Sequence, residues 1–241
     1  MKYYKTDSRK ISYVEYWHIS PRSFWFAWLN KLIGRQMNLI RGMPEPRPLT
    51  ERIVSADAVP ADILHRLNHG VSDLRAAGFD QFWYYTTKGS LTGGVGFGVE
   101  GLHTSRRILA KAIYVHFKNR ERFLIALTSG FRDGTVFSTT NKKRDFTPPP
   151  NHLVLRKLGA DARTLLDLHQ RKVTKLSARA PVEVFNGLGD VAAFEDKMLQ
   201  ASYDDKIRRG VWVEMTDAEV HALRAKMTGT PTSPPPVPQP R

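Results

Sequence analysis

The chain has 241 residues, 41% hydrophobic and 25% charged, enough apolar material for one sizeable domain with extensions. It contains no cysteine, which excludes disulfides, zinc–thiolate sites, iron–sulfur clusters and a cysteine nucleophile. Lys and Arg number 37 against 23 Asp and Glu, a net charge of +14, densest over residues 1–50, where nine cations meet three anions; such a field favours anionic partners without choosing among them.

No run approaches the ~18 apolar residues that a membrane-spanning helix needs. The opening MKYYKTDSRK is polar and charged and lacks the apolar block of a secretory signal. These features lead to the expectation of a cytoplasmic protein with peripheral membrane association as an option.

In chain order, the first strong pattern predicts a helix over 20–42. Ser20 suits the cap and Pro21 the first helical position, and Gly42 with Pro44 reads as a stop. Phe26, Leu29, Ile33, Met37 and Ile40 recur at three- and four-residue spacing, widened by Trp25, Trp28 and Leu32, with Lys31, Arg35, Asn38 and Arg41 opposite. A cationic amphipathic helix carrying tryptophans suits a membrane interface, where the indole body is buried and its N–H stays wet. The residues expected to contact a membrane or protein partner are Trp25, Trp28, Leu29, Lys31, Leu32, Ile33 and Arg35. The competing reading packs the same apolar face on the protein's own core.

Residues 45–59 follow as a Pro-rich linker, and a second helix runs from Pro60 to Gly78 with Ile63, Leu64, Leu67, Val71 and Leu74 on one face. Between about 80 and 140 the period changes: QFWYYTT, ILAKAIYVHF, RFLIALTSGF and GTVFSTTN read as strands joined by short turns such as RDG. Short connections suit antiparallel pairing. Helices are then expected near 161–177 and 190–209, and TDAE at 216–219 is a capping box opening a last helix. The fold class is α+β: an antiparallel meander of four to five strands flanked by helices, with an N-terminal amphipathic helix and a disordered Pro-rich tail. The units are 1–44, the linker 45–59, a core domain 60–180, a helical extension 181–228 and the tail 229–241, GTPTSPPPVPQPR.

Few motifs carry chemistry. GFGVEG at 96–101 matches G-x-G-x-x-G, yet the residues beyond Gly101 read as strand as easily as the helix a dinucleotide site needs, and a glycine-rich loop or irregular strand accounts for the stretch better, so no cofactor is assigned. His65 and His69 have the spacing of two metal ligands but lack the glutamate of a zinc-hydrolase helix, and no metal is assigned. No G-x-S-x-G elbow occurs, and GSLTG places Ser90 one position early. Arg106, Arg107, Lys142, Lys143 and Arg144 border the sheet and are expected to meet an anionic partner. With Trp83, Tyr84 and Tyr85 they sketch a basic-rimmed aromatic sheet that could stack nucleic-acid bases. The leading expectation is a non-enzymatic basic module that associates with an anionic surface or a larger assembly through its N-terminal helix. Nucleic-acid binding, or an enzyme with a pocket beside the sheet, are the alternatives.

Overall fold

The computed structural model describes residues 1–19, 24–33, 40–88, 95–117, 120–144 and 146–228. Its centre is a seven-stranded sheet whose strands run in chain order: β3 (Ile53–Val54), β4 (Phe79–Lys88), β5 (Val95–His103), β6 (Leu109–Phe117), β7 (Arg120–Gly130), β8 (Val136–Thr140) and β9 (His152–Arg156). Every neighbouring pair is antiparallel except β8–β9, where Val136 lies beside His152 and Thr140 beside Arg156. A parallel neighbour needs a long return, and residues 141–151 supply it.

Helices cover both faces. On one, α4 (Ala61–Ala76) and α5 (Ala162–Ser177) bury Val71, Leu74 and Leu165 against Val99, Ala110, Ala112, Ile125 and Leu127. On the other, α3 (Leu49–Arg52) and α6 (Leu188–Arg208) bury Leu49, Val191 and Phe194 against Tyr85, Leu102, Leu109 and Val136. The alternation of each strand thus feeds two cores. The expected ends hold: α4 closes at Gly78 with φ +93, and Thr216 and Glu219 exchange backbone-to-side-chain bonds of 3.1 and 3.3 Å at the start of α7 (Asp217–Thr228). Glycines of the GFGVEG stretch serve strand packing. A Cβ on Gly98 would lie 2.5 Å from the Tyr85 ring, and one on Gly101 3.1 Å from Phe82.

The architecture is α+β as expected, but the sheet is larger than the four or five strands read between 80 and 140. The segment taken as a linker contributes α3 and edge strand β3, in which Ile53 pairs with Tyr85 and Val54 with Tyr84. The N-terminal helix also differs. Of the expected span 20–42 the described residues show α2 (Phe24–Leu32), an additional helix α1 (Tyr13–Ile19) precedes it, and the expected stop at Gly42 and Pro44 lies in strand β2 (Arg41–Pro44). The reason is pairing: Thr6 bonds Ile40 through its backbone and hydroxyl, and β2 adds to β1 (Tyr3–Thr6). Ser20, Pro21, Arg35 and the tail 229–241 lie outside the described residues.

β1 is the central strand of a second sheet, flanked by β2 and by β10 (Trp212–Glu214). Tyr4, Tyr203 and Trp212 fill its core, with Tyr203 and Trp212 edge to face at 4.4 Å and the Tyr203 hydroxyl donating to the Pro44 carbonyl at 2.8 Å. β1 and β2 are therefore tied to the C-terminal extension. Among the described residues, no helix is long and apolar enough to cross a membrane.

Candidate functional site

In α1 the sequence ISYVEYW opens with a capping box. Glu15 accepts from the Ser12 amide and hydroxyl at 2.9 Å each, and the Glu15 amide donates to Ser12 Oγ at 3.2 Å. That fixes the helix rotation. Glu15 and Tyr16 point inward and are buried, whereas Tyr13, Val14 and Trp17, at i, i+1 and i+4, are exposed. Glu15 also accepts from the Thr147 amide at 2.8 Å and from Arg209 Nη2 at 2.7 Å on both oxygens. Burial pushes its carboxyl up, but Arg209, Thr147 and Ser12 together outweigh burial and hold it down at about 2.

α2 turns its apolar stripe to solvent as well. Trp25, Trp28, Leu29, Leu32 and Ile33 follow i, i+3, i+4, i+7, i+8 spacing, and Trp25 is 75% and Ile33 64% exposed. Trp25 and Trp28 meet edge to face at 6.1 Å. Lys31 does not join this face. Its ammonium donates to the Ile11 carbonyl and sits 4.5 Å from the Tyr13 ring, binding α2 to α1, and burial lowers its pKa. Of the residues expected to touch a partner, Trp25, Trp28, Leu29, Leu32 and Ile33 share one exposed face, Lys31 is a tether, and Arg35 is not described. Tyr13, Val14 and Trp17 of α1 are exposed as well; the S-x-x-E signature at 12–15 was the local signal that could have located them.

Beside Trp17 runs an open groove of about 580 Å³, lined by Trp17, His18, Lys143, Arg144, Val154, Arg156 and Leu158. Lys143 and Arg144 leave the end of β8, and Arg156 ends β9 opposite Thr140, so strand register brings the cations together. The Nε of Arg144 is buried without a hydrogen-bond partner. Arg106 and Arg107 are elsewhere. They precede Leu109, which pairs with Thr128, whereas Thr140 pairs with Ala126 and Lys142 lies beyond it. Arg106 grips Asp80 through two bonds of 3.2 and 3.0 Å, and the Arg107 carbonyl accepts from Ser129 at 2.7 Å. The five basic residues thus divide between opposite ends of the sheet. Trp83 and Tyr85 pack toward α6, and Tyr84 turns the other way to donate to Asn68 at 2.6 Å. With both faces covered by helices, that strand presents no row of aromatics for bases.

A second polar group lies under α6. Lys111 on β6 faces Glu100 on β5 at 3.0 Å and bonds Glu195 of α6, and the Tyr85 ring lies 5.7 Å from Lys111 Nζ and 5.6 Å from the Arg52 guanidinium. The Lys111–Glu100 pair is at ion-pair distance without hydrogen-bond alignment, leaving both Glu100 oxygens and the Tyr85 hydroxyl without a bonding partner. Burial, then the Glu195 charge, push Glu100 up to about 8, and burial raises Tyr85. Burial draws Lys111 down, but Glu100 and Glu195 outweigh it and raise the ammonium above its ordinary range.

On the opposite face, buried His169 lies 3.0 Å from Ser129 Oγ and 3.1 Å from Thr139 Oγ1. The Ser129 proton is committed to the Arg107 carbonyl, so Oγ accepts from His169 Nε2–H, and Nδ1 accepts from Thr139. A general base would have to accept from the serine; this polarity is reversed, and the pair is structural. Burial lowers His169 to about 3. His65 and His69 lie exposed on α4, with His69 3.6 Å from Asp73. Among the described residues no group of three or more His, Asp or Glu could hold a metal.

No family model, curated protein or solved structure matches the chain.

Proposed function

We propose that the protein is a peripheral module that docks on an anionic bilayer surface through the aromatic face of α1 and α2. The observation that carries this reading is the direction of the α2 stripe: five large apolar side chains at helical spacing are turned toward solvent. Exposed apolar patches of this kind on folded proteins mark interaction surfaces. A bilayer fits better than a protein groove because three of the eight exposed apolar residues on α1 and α2 are tryptophans and the chain carries a charge of +14. The buried Glu15–Arg209 pair, with α1 as its carrier, supplies a fixed base for the face.

Tryptophan fluorescence and co-sedimentation with neutral and anionic liposomes, at two salt concentrations, test the reading. A blue shift with anionic vesicles is expected, abolished by Trp28→Asp and Ile33→Asp with the melting temperature unchanged. Wild-type protein that neither shifts nor sediments would refute bilayer docking and direct attention to a protein partner.

Chemistry under α6 is the second reading, favoured by Lys111 lying between two buried carboxylates beside an unbonded phenol. It predicts a small molecule that raises the melting temperature of the wild type and not of Lys111→Met. A metabolite panel that shifts neither protein would remove it.

A further inference from the structure

We infer that the groove beside Trp17 seats the phosphate of an anionic lipid headgroup; this rests on the bilayer-docking reading above. Lys143, Arg144 and Arg156 line it together with His18, and among the described residues that line it there is no carboxylate. The three cations come from two segments that the β8–β9 register holds side by side, so their proximity is built into the sheet. Arg144 Nε is a buried donor without a hydrogen-bond partner, a group that an anionic oxygen would satisfy. Guanidinium groups suit phosphate because their planar forks can bond two oxygens at once.

The occupant is a lipid rather than a free anion because the groove is amphipathic and open. Val154 and the exposed Leu158 line the groove alongside the cations, and Trp17 belongs to both the groove and the exposed face of α1. A ligand charged at one end and apolar at the other would place its phosphate among the arginines and its chains along α1 and α2. A free phosphate would leave these apolar residues wet.

The test uses the full chain and vesicles of phosphatidylcholine alone or with a minor fraction of phosphatidic acid. The pair Arg144→Gln with Arg156→Gln is compared with Arg171→Gln plus Lys175→Gln, an equal charge change on exposed positions of α5. At about fivefold per cation near a charged surface, the groove pair should lose roughly 25-fold in affinity for acidic vesicles while keeping its binding to neutral ones. The α5 pair should lose less than about twofold, because charges beyond a Debye length are screened. Arg156 is half-buried, so Lys143→Gln with Arg144→Gln serves as a second groove variant, with far-UV circular dichroism to establish folding.

Equal losses for the groove and α5 pairs would overturn the inference, leaving only a diffuse field. Inorganic phosphate that raises the melting temperature of the wild type and competes with vesicles would also overturn it, making the groove a site for the soluble anion. Vesicle binding that survives the groove variants unchanged sinks the headgroup site alone. Wild-type protein that binds neither vesicle sinks the docking reading and the headgroup site with it.

Discussion

Replacing Glu15 with Gln removes one charge from a fully buried position while keeping the side chain's shape. In the wild type the carboxylate accepts from two backbone amides, one hydroxyl and Arg209, and these hold its pKa at about 2 against an ordinary 4.5. A difference of about 2.5 units at 1.36 kcal/mol each corresponds to about 3 kcal/mol of stability. The sign follows from where the proton goes. The unfolded chain takes it up near pH 4.5 and the folded chain near 2, so the stabilisation is complete above pH 4.5 and lost as the pH falls from 4.5 through 2. Glu15→Gln also leaves the half-buried Arg209 with Asp205, at 3.5 Å, as its one carboxylate partner among the described residues. A loss of roughly 3 kcal/mol is therefore expected at neutral pH, within the range for breaking a buried pair. Urea unfolding followed by circular dichroism should show that loss at pH 7 and less than about 1 kcal/mol near pH 2. A loss below about 0.5 kcal/mol at pH 7, or one of equal size at both pH values, would refute the argument that this charge clasps α1 to the body.

Gly98→Ala should cost about 1–3 kcal/mol, since its Cβ would stand 2.5 Å from the rigid, buried Tyr85 ring; near-wild-type melting would show that the ring can move aside. Glu100 keeps its proton to about pH 8 when folded and loses it near 4.5 when unfolded, so its contribution to stability falls as pH rises between those values. Glu100→Gln should accordingly gain stability relative to wild type from pH 5 to pH 8 in urea titrations, and a constant difference would exclude the buried acid. His169 is neutral down to about pH 3 when folded and protonates near 6.5 when unfolded, so its contribution falls as pH drops below 6.5. His169→Gln should lower the slope of stability against pH between 4.5 and 6.5 by about 1.4 kcal/mol per unit, and an unaltered slope would mean that the imidazole titrates freely.

What could be read from the residues divides by range. Helix α4 carries Leu67, Val71 and Leu74 on one side and ends at a glycine that needs a positive φ, and α7 begins at a capping box, so neighbours within four residues announce both. The strands β4, β6, β7 and β8 follow from β-branched and aromatic residues with turns between them, whereas the glycines at 96, 98 and 101 hid β5. β1, β2 and β10 gave no such sign. Each has three or four residues, and Tyr4 finds Glu214 across almost the whole chain, so no local pattern records the pairing. Lys111 had a partial signal in sharing the alternation of Leu109 and Ile113, but its partners come from β5 and α6. For the docking face, spacing showed the stripe on α2 but not its direction. Periodicity defines which residues share a side and is blind to whether that side meets a core or solvent. The cationic groove was half visible: Lys143 and Arg144 stand together in the chain, whereas Arg156 and Trp17 join them only through the sheet and the Glu15 clasp.

The outward direction of the stripe has a physical cause. Left to apolar attraction alone, α1 and α2 would roll their tryptophans onto the nearest core, because burying each large side chain is worth about 1.5–3 kcal/mol. Two polar anchors oppose that rotation. Turning α1 over would withdraw the Glu15 carboxylate from Arg209 and the Thr147 amide and leave those half-buried donors without it, at a cost of several kcal/mol, and turning α2 would pull Lys31 from the Ile11 carbonyl and the Tyr13 ring. Neither anchor adds much net stability compared with a well-packed apolar replacement, so their value lies in orientation. Replacing Glu15 and Arg209 together by Met and Leu offers a direct check on this. Stability should be restored toward wild type while vesicle binding weakens, because the apolar pair no longer forbids the rolled arrangement. Restored stability with undiminished binding would show that the sheet and helix packing hold the face outward without the charges.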